Sequence, residues 1–486
     1  MKLLMIGLDA AEGRIVDELV GDGRMPALGE LRQRGITRYL NPLPGLGDDA
    51  TWTTLTTGVL PGRHGRFHHE QPVRKSYSLA NVARTDTTQP PFWKAFADEG
   101  LSVAAIDVPK SPLAGLANGL EVADWMPHGQ DLGHSSVFPA GHGYEESFIP
   151  ESGFDCDGIV ATPQDVESHA AAIRRRGVRR RKVLVELANG DWDVFIAVVA
   201  ETHCAGHHFW HLHDPSHPSH DAPVTTALGD LVASEYEAAD ALLTELRSFA
   251  DPDTYVVIFA PIGMGPNYSA DHLLDAILER IEPEPPVAPP ERAVVKRFLP
   301  GAVKRLAYGL FPGVVSSVVS PHAQRKVWRL PHDAVSAALR LNVRGREPRG
   351  TIAPGKEYDA WCARIAELLL ELENTATGGR VVREVVQVAD RYPGPESGRF
   401  ADLLVVWETG SPVTGVRSDS LGEFEGLIAD RTGNHASGGW FTIAGPGIEP
   451  SAESVTAEIA DLAPTVSSLM GIDPTGTDGI SLALGR

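Results

Sequence analysis

Short apolar runs alternate with stretches of helical periodicity along most of this chain. Runs typical of strands cover Leu3–Leu8, Val103–Ile106, Val194–Val199, Tyr255–Phe259, Leu403–Trp407 and Trp440–Ile443. Helical patterns cover Pro26–Arg34, Pro91–Glu99, Val166–Ala188, Leu228–Ala250, His272–Ile281 and Glu357–Glu373. Strands that alternate with helices are typical of α/β proteins whose sheets are mostly parallel. The pattern therefore predicts an α/β fold built around such a sheet.

One segment interrupts this alternation. The chain is proline-rich from Glu282 to Pro290 and then basic and apolar from Val294 to Arg329. Proline clusters break regular structure. We predict that residues 282–335 form an inserted cap between two parts of one α/β core, 1–281 and 336–486. A helix lying on a membrane surface is the alternative for the basic stretch, and the acidity of the whole chain argues against it.

Charge and cysteine content restrict the possible partners. The 486 residues include 43 Lys and Arg against 64 Asp and Glu, which gives a net charge of −21. A field of this sign repels nucleic-acid polymers, whereas a small anionic substrate can still enter a local metal-lined cleft. Cys156, Cys204 and Cys362 are far apart, so they form neither a disulfide framework nor a zinc knuckle. The oligomeric state is left open.

The hydropathy of the chain predicts its location. No run approaches about 18 uninterrupted apolar residues, so we expect no membrane-spanning helix. The N-terminal apolar run ends at Asp9 after about six residues, which is too short for the core of a signal peptide. We therefore expect a cytoplasmic protein.

Polar residues follow the first predicted strand at two places. Asp9 comes directly after Leu3–Leu8, at the strand end where open α/β sheets bind ligands. A carboxylate buried there needs a charged partner or a metal, although Asp also caps helices well. The hydroxyl-rich segment 48–65 predicts a loop and a helix N-terminus, because Asp and Thr are common caps. Such an N-terminus offers backbone N–H groups to an anion.

The densest histidine region follows the strand Val194–Val199. His203 and His207 are four positions apart, the spacing at which two side chains on one helix face bind one metal. Further histidines follow at positions 208, 211, 213, 217 and 220. His435 lies much later, in a Gly-rich turn before the strand Trp440–Ile443. Single histidines are usually structural, but this group after a strand indicates a metal site.

These motifs, in this order along the chain, resemble the alkaline phosphatase superfamily in its type I phosphodiesterase/nucleotide pyrophosphatase branch. The resemblance implies an alkaline phosphatase-like sandwich, with a mostly parallel central sheet, helices on both faces and an inserted cap. It implies that Asp9, His207 and His435 bind metal. His203 stands where family members typically have an Asp ligand, and because His also binds metal we predict that His203 completes the set. It also implies metal-dependent hydrolysis of phosphate mono- or diesters of small molecules such as nucleotides.

Two departures from the family pattern change the expected chemistry. Asp48 stands nine positions before Thr57, where the resembling family places a Thr, Ser or Cys nucleophile. Asp48 can act as a metal ligand or a carboxylate nucleophile, Thr51 can replace it if the loop is shifted, and water is the third choice. Pro261 and Ile262 replace the Asp-His pair that binds a second metal in the family. We therefore expect one zinc ion rather than two, with another divalent metal as the alternative.

An arginine-rich segment is the predicted substrate contact. Residues 340–350 contain four Arg, and from them we predict that Asn342, Arg344 and Arg346 bind an anionic substrate, because Arg forks match phosphate and carboxylate. The alternative is a salt-bridged strand and turn. The six Arg of 174–176 and 179–181 are predicted to form a solvated basic helix face. The alternative functions are an enzyme of another reaction class on this scaffold, or a non-catalytic relative.

Overall fold

The chain divides into two compact units. The computed structural model describes residues 1–87, 89–125, 136–139, 148, 162–282, 321–333, 335–426 and 431–484. Unit 1 comprises Met1–Arg66, Ala83–Asn267 and Ala429–Arg486, and unit 2 comprises Phe67–Val82 and Tyr268–Ile428. Most of the predicted cap, residues 283–320, lies outside the described residues. The cap and the boundaries at 282 and 335 stay predictions.

The strands and α-helices of the described residues are numbered along the chain. The strands are β1 (Leu3–Leu8), β2 (Ile36–Asn41), β3 (Glu70–Pro72), β4 (Leu79–Asn81), β5 (Val103–Ile106), β6 (Gly119–Ala123), β7 (Ser136–Phe138), β8 (Val194–Val199), β9 (Tyr255–Pro266), β10 (Val327–Leu330), β11 (Ser336–Leu341), β12 (Glu373–Asn374), β13 (Val382–Gln387), β14 (Leu403–Trp407), β15 (Gly415–Ser418), β16 (Gly422–Glu425), β17 (Gly433–Ala444) and β18 (Ser451–Glu458). The helices are α1 (Gly13–Gly21), α2 (Pro26–Arg34), α3 (Asp48–Thr57), α4 (Pro61–His64), α5 (Trp93–Asp98), α6 (Pro163–Ala188), α7 (Glu201–His213), α8 (Ala222–Leu228), α9 (Leu231–Arg247), α10 (Leu274–Ile281), α11 (Lys356–Leu370), α12 (Val388–Arg391) and α13 (Leu462–Leu469).

A mostly parallel sheet forms the centre of unit 1. Within the described part of the chain its order is β18-β2-β17-β9-β1-β8-β5-β6-β7. The five adjacent strands from β9 to β6 are parallel to one another, whereas β17 runs antiparallel to both β2 and β9 and β7 runs antiparallel to β6. The strands β1 and β8 are apolar and buried along their full length. This is expected for parallel strands, because helices cover both faces of such a sheet.

Helices cover both faces of this sheet, which confirms the predicted fold class. Successive side chains of a strand point to opposite faces. Leu4, Ile6 and Leu8 of β1 belong to a buried apolar cluster with residues of α1, α2, α6, α7 and α9. On the opposite face, Trp52 of α3 packs edge-on against Phe259 of β9, with ring centroids 5.9 Å apart. The core therefore lies in two layers around the sheet.

Unit 2 is built on smaller antiparallel sheets. Its largest sheet among the described residues has the order β10-β11-β14-β13, and β12-β15-β16 and β3-β4 form two others. Helices α10 and α11 bury apolar residues, among them Ile277 and Ile365, against this sheet. The predicted strand Leu403–Trp407 is confirmed as β14, and it belongs to unit 2. No helix in the described ranges is long and apolar enough to cross a bilayer.

Two strands extend well beyond their predicted limits. The prediction ended β9 at Phe259 and started β17 at Trp440, because proline and glycine follow or precede those positions. In the structure the antiparallel pairing of β9 with β17 continues from Ile443 back to Gly433, with a register shift between His435 and Gly438. Local propensity favours turns in these segments, because they contain Gly and Pro. The pairing between β9 and β17 keeps them extended instead.

Candidate metal centre

His203 and His207 lie on one face of α7. This helix begins at Glu201, two residues after β8 ends, so its first turns lie at the carboxyl edge of the parallel strands. The four-residue spacing places the two imidazoles on adjacent turns. The structure gives Nε2 of His207 at 3.2 Å from Nε2 of His203, and their ring centroids are 4.4 Å apart.

His435 reaches the same place from β17. Because β17 is antiparallel to β9, its first residues lie beside the last residues of β9, and His435 is opposite Met264. Its ring centroid lies 4.9 Å from that of His203 and 5.0 Å from that of His207. One ring nitrogen of each histidine lies within 4.8 Å of the other two. The fold thus brings together residues more than 220 positions apart in the sequence.

The donor set matches a tetrahedral zinc site. Zinc binds imidazole nitrogen at about 2.0–2.1 Å, and tetrahedral angles then place two ligand nitrogens about 3.3 Å apart. The 3.2 Å between the Nε2 atoms of His203 and His207 meets this requirement. All three rings are buried, with exposed fractions of 4%, 0% and 4% for His203, His207 and His435. Three buried imidazoles are a sufficient protein ligand set for one zinc ion with an open fourth position.

The backbone of β17 orients the His207 ring. Its Nδ1 lies 2.8 Å from the carbonyl oxygen of Gly433, so Nδ1 carries the proton and Nε2 presents its lone pair toward His203. Burial lowers the pKa of His207 well below 6.5, and the charge of Arg431 adds to the effect. The ring is therefore neutral at pH 7, which is the state that binds a metal. A carbonyl holding the far nitrogen of a ligand histidine is a common second contact in metal sites.

Two glycines permit this contact. A Cβ on Gly433 would lie 2.1 Å from the carbonyl oxygen of Gly206, and a Cβ on Gly206 would lie 2.7 Å from Cγ of Met264. The missing side chain of Gly433 therefore allows α7 and β17 to approach this closely, and that of Gly206 allows α7 to approach β9. The sequence analysis did not identify Gly433 as part of the site, because a backbone acceptor leaves no signature in residue type or spacing.

Asp9 lies at the carboxyl end of β1, as predicted. Its side chain is buried and accepts a hydrogen bond from Nε1 of Trp52 at 3.1 Å, and its carbonyl oxygen accepts one from the Thr202 hydroxyl at 2.7 Å. Among the described residues, Asp9 is not part of the group formed by the three histidines. Its assignment as a metal ligand stays a prediction.

Asp48 and Thr51 form the first turn of α3. A carboxylate oxygen of Asp48 lies within 4.8 Å of a ring nitrogen of His435, which places Asp48 next to the histidine group. Thr51 is buried one turn further, and residues three apart share a helix face. The N-cap residue is Gly47, which has no side chain to cap the helix. The positive end of the α3 dipole and its backbone N–H groups therefore lie near His435.

Other residues of the hydroxyl-rich segment have polar partners within unit 1. The buried carboxylate of Asp49 accepts hydrogen bonds from Nη2 and Nε of Arg66 at 2.7 and 3.0 Å, and Nζ of Lys110 lies 3.7 Å away. Its ion pairs explain its burial without a metal. His64 lies 3.0 Å from the Thr54 hydroxyl, and burial lowers its pKa to about 3. Gly58 and Gly65 take left-handed conformations that end α3 and α4.

The predicted basic face of α6 is partly wrong. Arg176 and Arg180 are each only 1% exposed, because they face the core side of the helix. Arg180 donates to Asp107 at 3.0 Å and to Glu201 at 3.0 Å, joining the ends of β5 and β8. Burial next to two carboxylates is the physical reason that this Arg is not solvated. The repeat of Arg residues along the sequence does not by itself show which of them are buried and which are exposed.

Pro261 and Ile262 lie within β9, at the point where the second metal ligand pair was expected. Ile262 is buried and opposite Gly438 of β17. Neither side chain carries a ligand atom, so these positions cannot bind a cation. The three predicted histidines of the first site therefore lie together, whereas both predicted ligand positions of the second site hold residues without a ligand atom.

The arginine-rich segment lies in unit 2, and its polar side chains have partners there. Asn342 is fully buried and accepts from the Tyr77 hydroxyl at 2.8 Å. Arg346 pairs with Asp402 through two hydrogen bonds of 2.6 and 2.7 Å. Arg344 is exposed and donates to the carbonyl oxygen of Thr351 at 3.2 Å. These contacts are those of the alternative, a salt-bridged strand and turn, and substrate binding by these residues stays a prediction.

Solved structures with the same fold were compared with the chain. Phosphonoacetate hydrolase from Sinorhizobium meliloti 1021 is similar over 95% of this chain and 94% of its own, with 15% identity and a TM-score of 0.53. Human ectonucleotide pyrophosphatase/phosphodiesterase 5 is similar over 99% of this chain and 97% of its own, with 11% identity and a TM-score of 0.50. At these identities the likeness shows the fold alone. A comparison with curated protein sequences gives no match.

The sandwich of helices around a mostly parallel sheet is the alkaline phosphatase-like fold that the sequence predicted. The family model described as type I phosphodiesterase / nucleotide pyrophosphatase matches residues 3–438. The chain belongs to this family, as the sequence resemblance predicted.

Proposed function

We propose that this protein is a metal-dependent hydrolase of phosphate mono- or diesters of small molecules such as nucleotides, with a single zinc ion bound by His203, His207 and His435. The observation that carries the proposal is the meeting of three buried imidazoles at the carboxyl edge of the parallel sheet. Membership of the phosphodiesterase family supports the phosphoester chemistry. The two similar structures belong to a phosphonate hydrolase and a nucleotide pyrophosphatase/phosphodiesterase.

The residues of this chain have separate tasks in the proposed reaction. The Gly433 carbonyl holds the His207 ring in the metal-binding tautomer. The uncapped N-terminus of α3 directs backbone N–H groups and a partial positive charge toward the phosphoryl group of the substrate. Asp48 and Thr51 on the first turn orient the attacking group. A divalent ion at the three histidines supplies Lewis acidity toward a phosphoryl oxygen and a water of lowered pKa.

Three attacking groups are consistent with this arrangement. The Asp48 carboxylate lies within 4.8 Å of a ring nitrogen of His435, the Thr51 hydroxyl is an alcohol of the type used in the family, and water needs no protein nucleophile. Under the water route an Asp48→Asn variant retains part of its activity, because the amide can still orient water. Under the carboxylate route that variant has no activity, because the amide cannot form an acyl phosphate.

Metal content and turnover test the proposal together. We expect about one equivalent of zinc per purified full-length chain by elemental analysis, and turnover of a nitrophenyl phosphodiester or phosphomonoester that a chelator abolishes and zinc restores. His207→Ala is expected to lose both zinc and turnover. His213→Gln is the matched control, because His213 lies on the same helix and pairs with Asp230 instead of the histidine group.

The other outcomes identify the alternatives. About two equivalents of zinc would contradict the single-metal proposal. Stoichiometric zinc without turnover of either ester supports an enzyme of another reaction class, and neither zinc nor turnover supports a non-catalytic relative. The cytoplasmic location and the anionic nature of the substrate remain predictions, which cell fractionation and substrate profiling test.

A further inference from the structure

A second cavity lies wholly within unit 2. It has a volume of about 290 Å³ and is lined by Pro72, Arg74, Lys75, Arg340, Gly345, Arg346, Pro395, Gly398 and Arg399. This volume is at the lower limit of small-molecule sites, which suits a phosphate group with a small substituent. Five of its nine lining residues are basic, in a chain whose net charge is −21.

The carboxylates that pair with these cations do not balance their charge. Arg340 and Arg346 share Glu347, and Arg346 also pairs with Asp402. Arg74 and Arg399 both pair with Glu396. Among the described residues five cations therefore meet three carboxylates, which leaves an excess of two positive charges at the cavity. A cavity lined by one sign of charge concentrates ligands of the opposite sign.

Arg340 supplies a fixed donor at this cavity. Its side chain is only 6% exposed. Its Nε donates to Glu347 at 2.8 Å, and its Nη1 donates to the carbonyl oxygens of Gly398 and Phe400. In the described structure no such bond is made by its Nη2, which leaves that nitrogen for a ligand. A guanidinium held by its other nitrogens loses little side-chain entropy when it binds an oxyanion.

The position of Lys75 is a second, independent indication of function. Val73 to Ser76 form a turn between β3 and β4, closed by a hydrogen bond of 3.1 Å from the Ser76 N–H to the Val73 carbonyl. Lys75 is the third residue of this turn and has φ of 55°, in the left-handed region. Glycine takes this conformation without steric cost, whereas a lysine is strained there. Strained residues of this kind concentrate at binding sites.

From these observations we infer that the cavity of unit 2 binds a phosphate-type oxyanion, either free phosphate or the phosphoryl group of a small phosphomonoester. Arg340 provides the fixed donor, and Lys75 provides the exposed charge at the cavity. The site is separate in its residues from the three histidines and does not require the proposed hydrolytic function.

Calorimetric titration with inorganic phosphate and, in a second arm, with glycerol phosphate tests the inference. Both ligands are titrated into the full-length native protein and into the His207→Ala variant. Chelator is present in every titration, so that a metal at the histidine group does not contribute to binding. We expect saturable binding of the same affinity in both proteins. The arm with the higher affinity identifies the source of the phosphoryl group.

Lys75→Gly separates ligand binding from folding. This variant removes a cation and also relieves the left-handed strain, so its thermal midpoint should equal or exceed that of the native protein, while its phosphate affinity falls about threefold to tenfold. Lys356→Gly is the matched control, since Lys356 is exposed in the same unit and does not line the cavity. Native affinity in Lys75→Gly, an equal loss in Lys356→Gly, or no saturable phosphate binding by the native protein would each overturn the inference.

Discussion

At the scale of single residues, burial decides the protonation state of the candidate site. His207 is fully buried, and its pKa lies well below 6.5 because the charged imidazolium would lose its hydration. A neutral ring whose far nitrogen donates to a carbonyl is prepared to bind a cation without first releasing a proton. The sequence indicated the residue and its spacing, but the pKa and the tautomer depend on neighbours from β17.

Glu235 is a buried acid outside the histidine group. It lies on α9, is 7% exposed and has no hydrogen bond among the described residues. Burial, with a smaller contribution from Glu201, raises its pKa from 4.5 to about 7. Because the folded protein holds this proton more tightly than the unfolded chain, the stabilisation is complete below pH 4.5 and is lost as pH rises toward 7.

Glu235→Gln is therefore expected to remove this pH dependence. The neutral amide imitates the protonated acid, so the variant should match the native free energy of unfolding at pH 4.5. It should exceed the native value by up to about 3 kcal/mol at pH 8. Urea unfolding at both pH values measures the difference. The control is Glu186→Gln on α6, because Glu186 is exposed and should not change the pH dependence. Parallel pH profiles for native and Glu235→Gln would contradict the assignment.

At the scale of elements, the site depends on the close packing of α7 against β17. Local sequence predicted each histidine-bearing segment, yet it predicted a Gly-rich turn where β17 begins. The register with β9 makes residues 433–439 extended and places His435 at the carboxyl edge of the sheet. The glycines that looked like turn residues serve a different purpose, because Gly433 allows the backbone of α7 within contact distance.

Gly433→Ala tests the role of this packing. The added methyl group would meet the Gly206 carbonyl oxygen at 2.1 Å, so α7 and β17 must separate. We expect a loss of about 1–3 kcal/mol in the free energy of unfolding and a decrease of about tenfold or more in zinc affinity, because the carbonyl that orients His207 moves. Denaturant unfolding and competition with a zinc indicator measure the two effects.

Gly21→Ala provides the control for that substitution. Gly21 lies on α1, and a Cβ added there has open space within 4 Å. Its unfolding free energy should be unchanged or slightly higher, since Ala is the better helix former. If Gly433→Ala retained native stability and zinc affinity, the close approach would not be what positions the ring.

At the scale of the whole molecule, metal binding and stability should be linked. A ligand that binds the folded state stabilises it by about 4 kcal/mol at a concentration a thousandfold above its dissociation constant. The three histidines all lie in unit 1, two on α7 and one on β17, so a metal bound by them would link these two elements. Removal of zinc is expected to lower the thermal midpoint of this unit on the order of 5 °C.

Differential scanning calorimetry with and without chelator measures this effect. Zinc added in excess should restore the midpoint, whereas His207→Ala should show the lower midpoint under every condition. The absence of any chelator effect on native protein of known zinc content would show that the metal does not stabilise the fold. All three histidines lie in unit 1. We therefore expect that the unfolding transition of unit 2 does not depend on metal, which the same scans measure.

The sequence alone determined the α/β class, six of the eighteen strands and six of the thirteen α-helices in the described part of the chain, and the histidines that the fold brings together, because hydrophobic periodicity and i, i+4 spacing are local properties. Only the tertiary structure decided which charges are buried, such as Arg180, and which carbonyl orients His207. It also assigned the Arg340–Arg349 segment to a separate unit with its own cavity. These features arise from contacts between different segments, from 21 positions apart for Arg180 and Glu201 to 226 for His207 and Gly433, and such contacts leave no pattern in neighbouring residues.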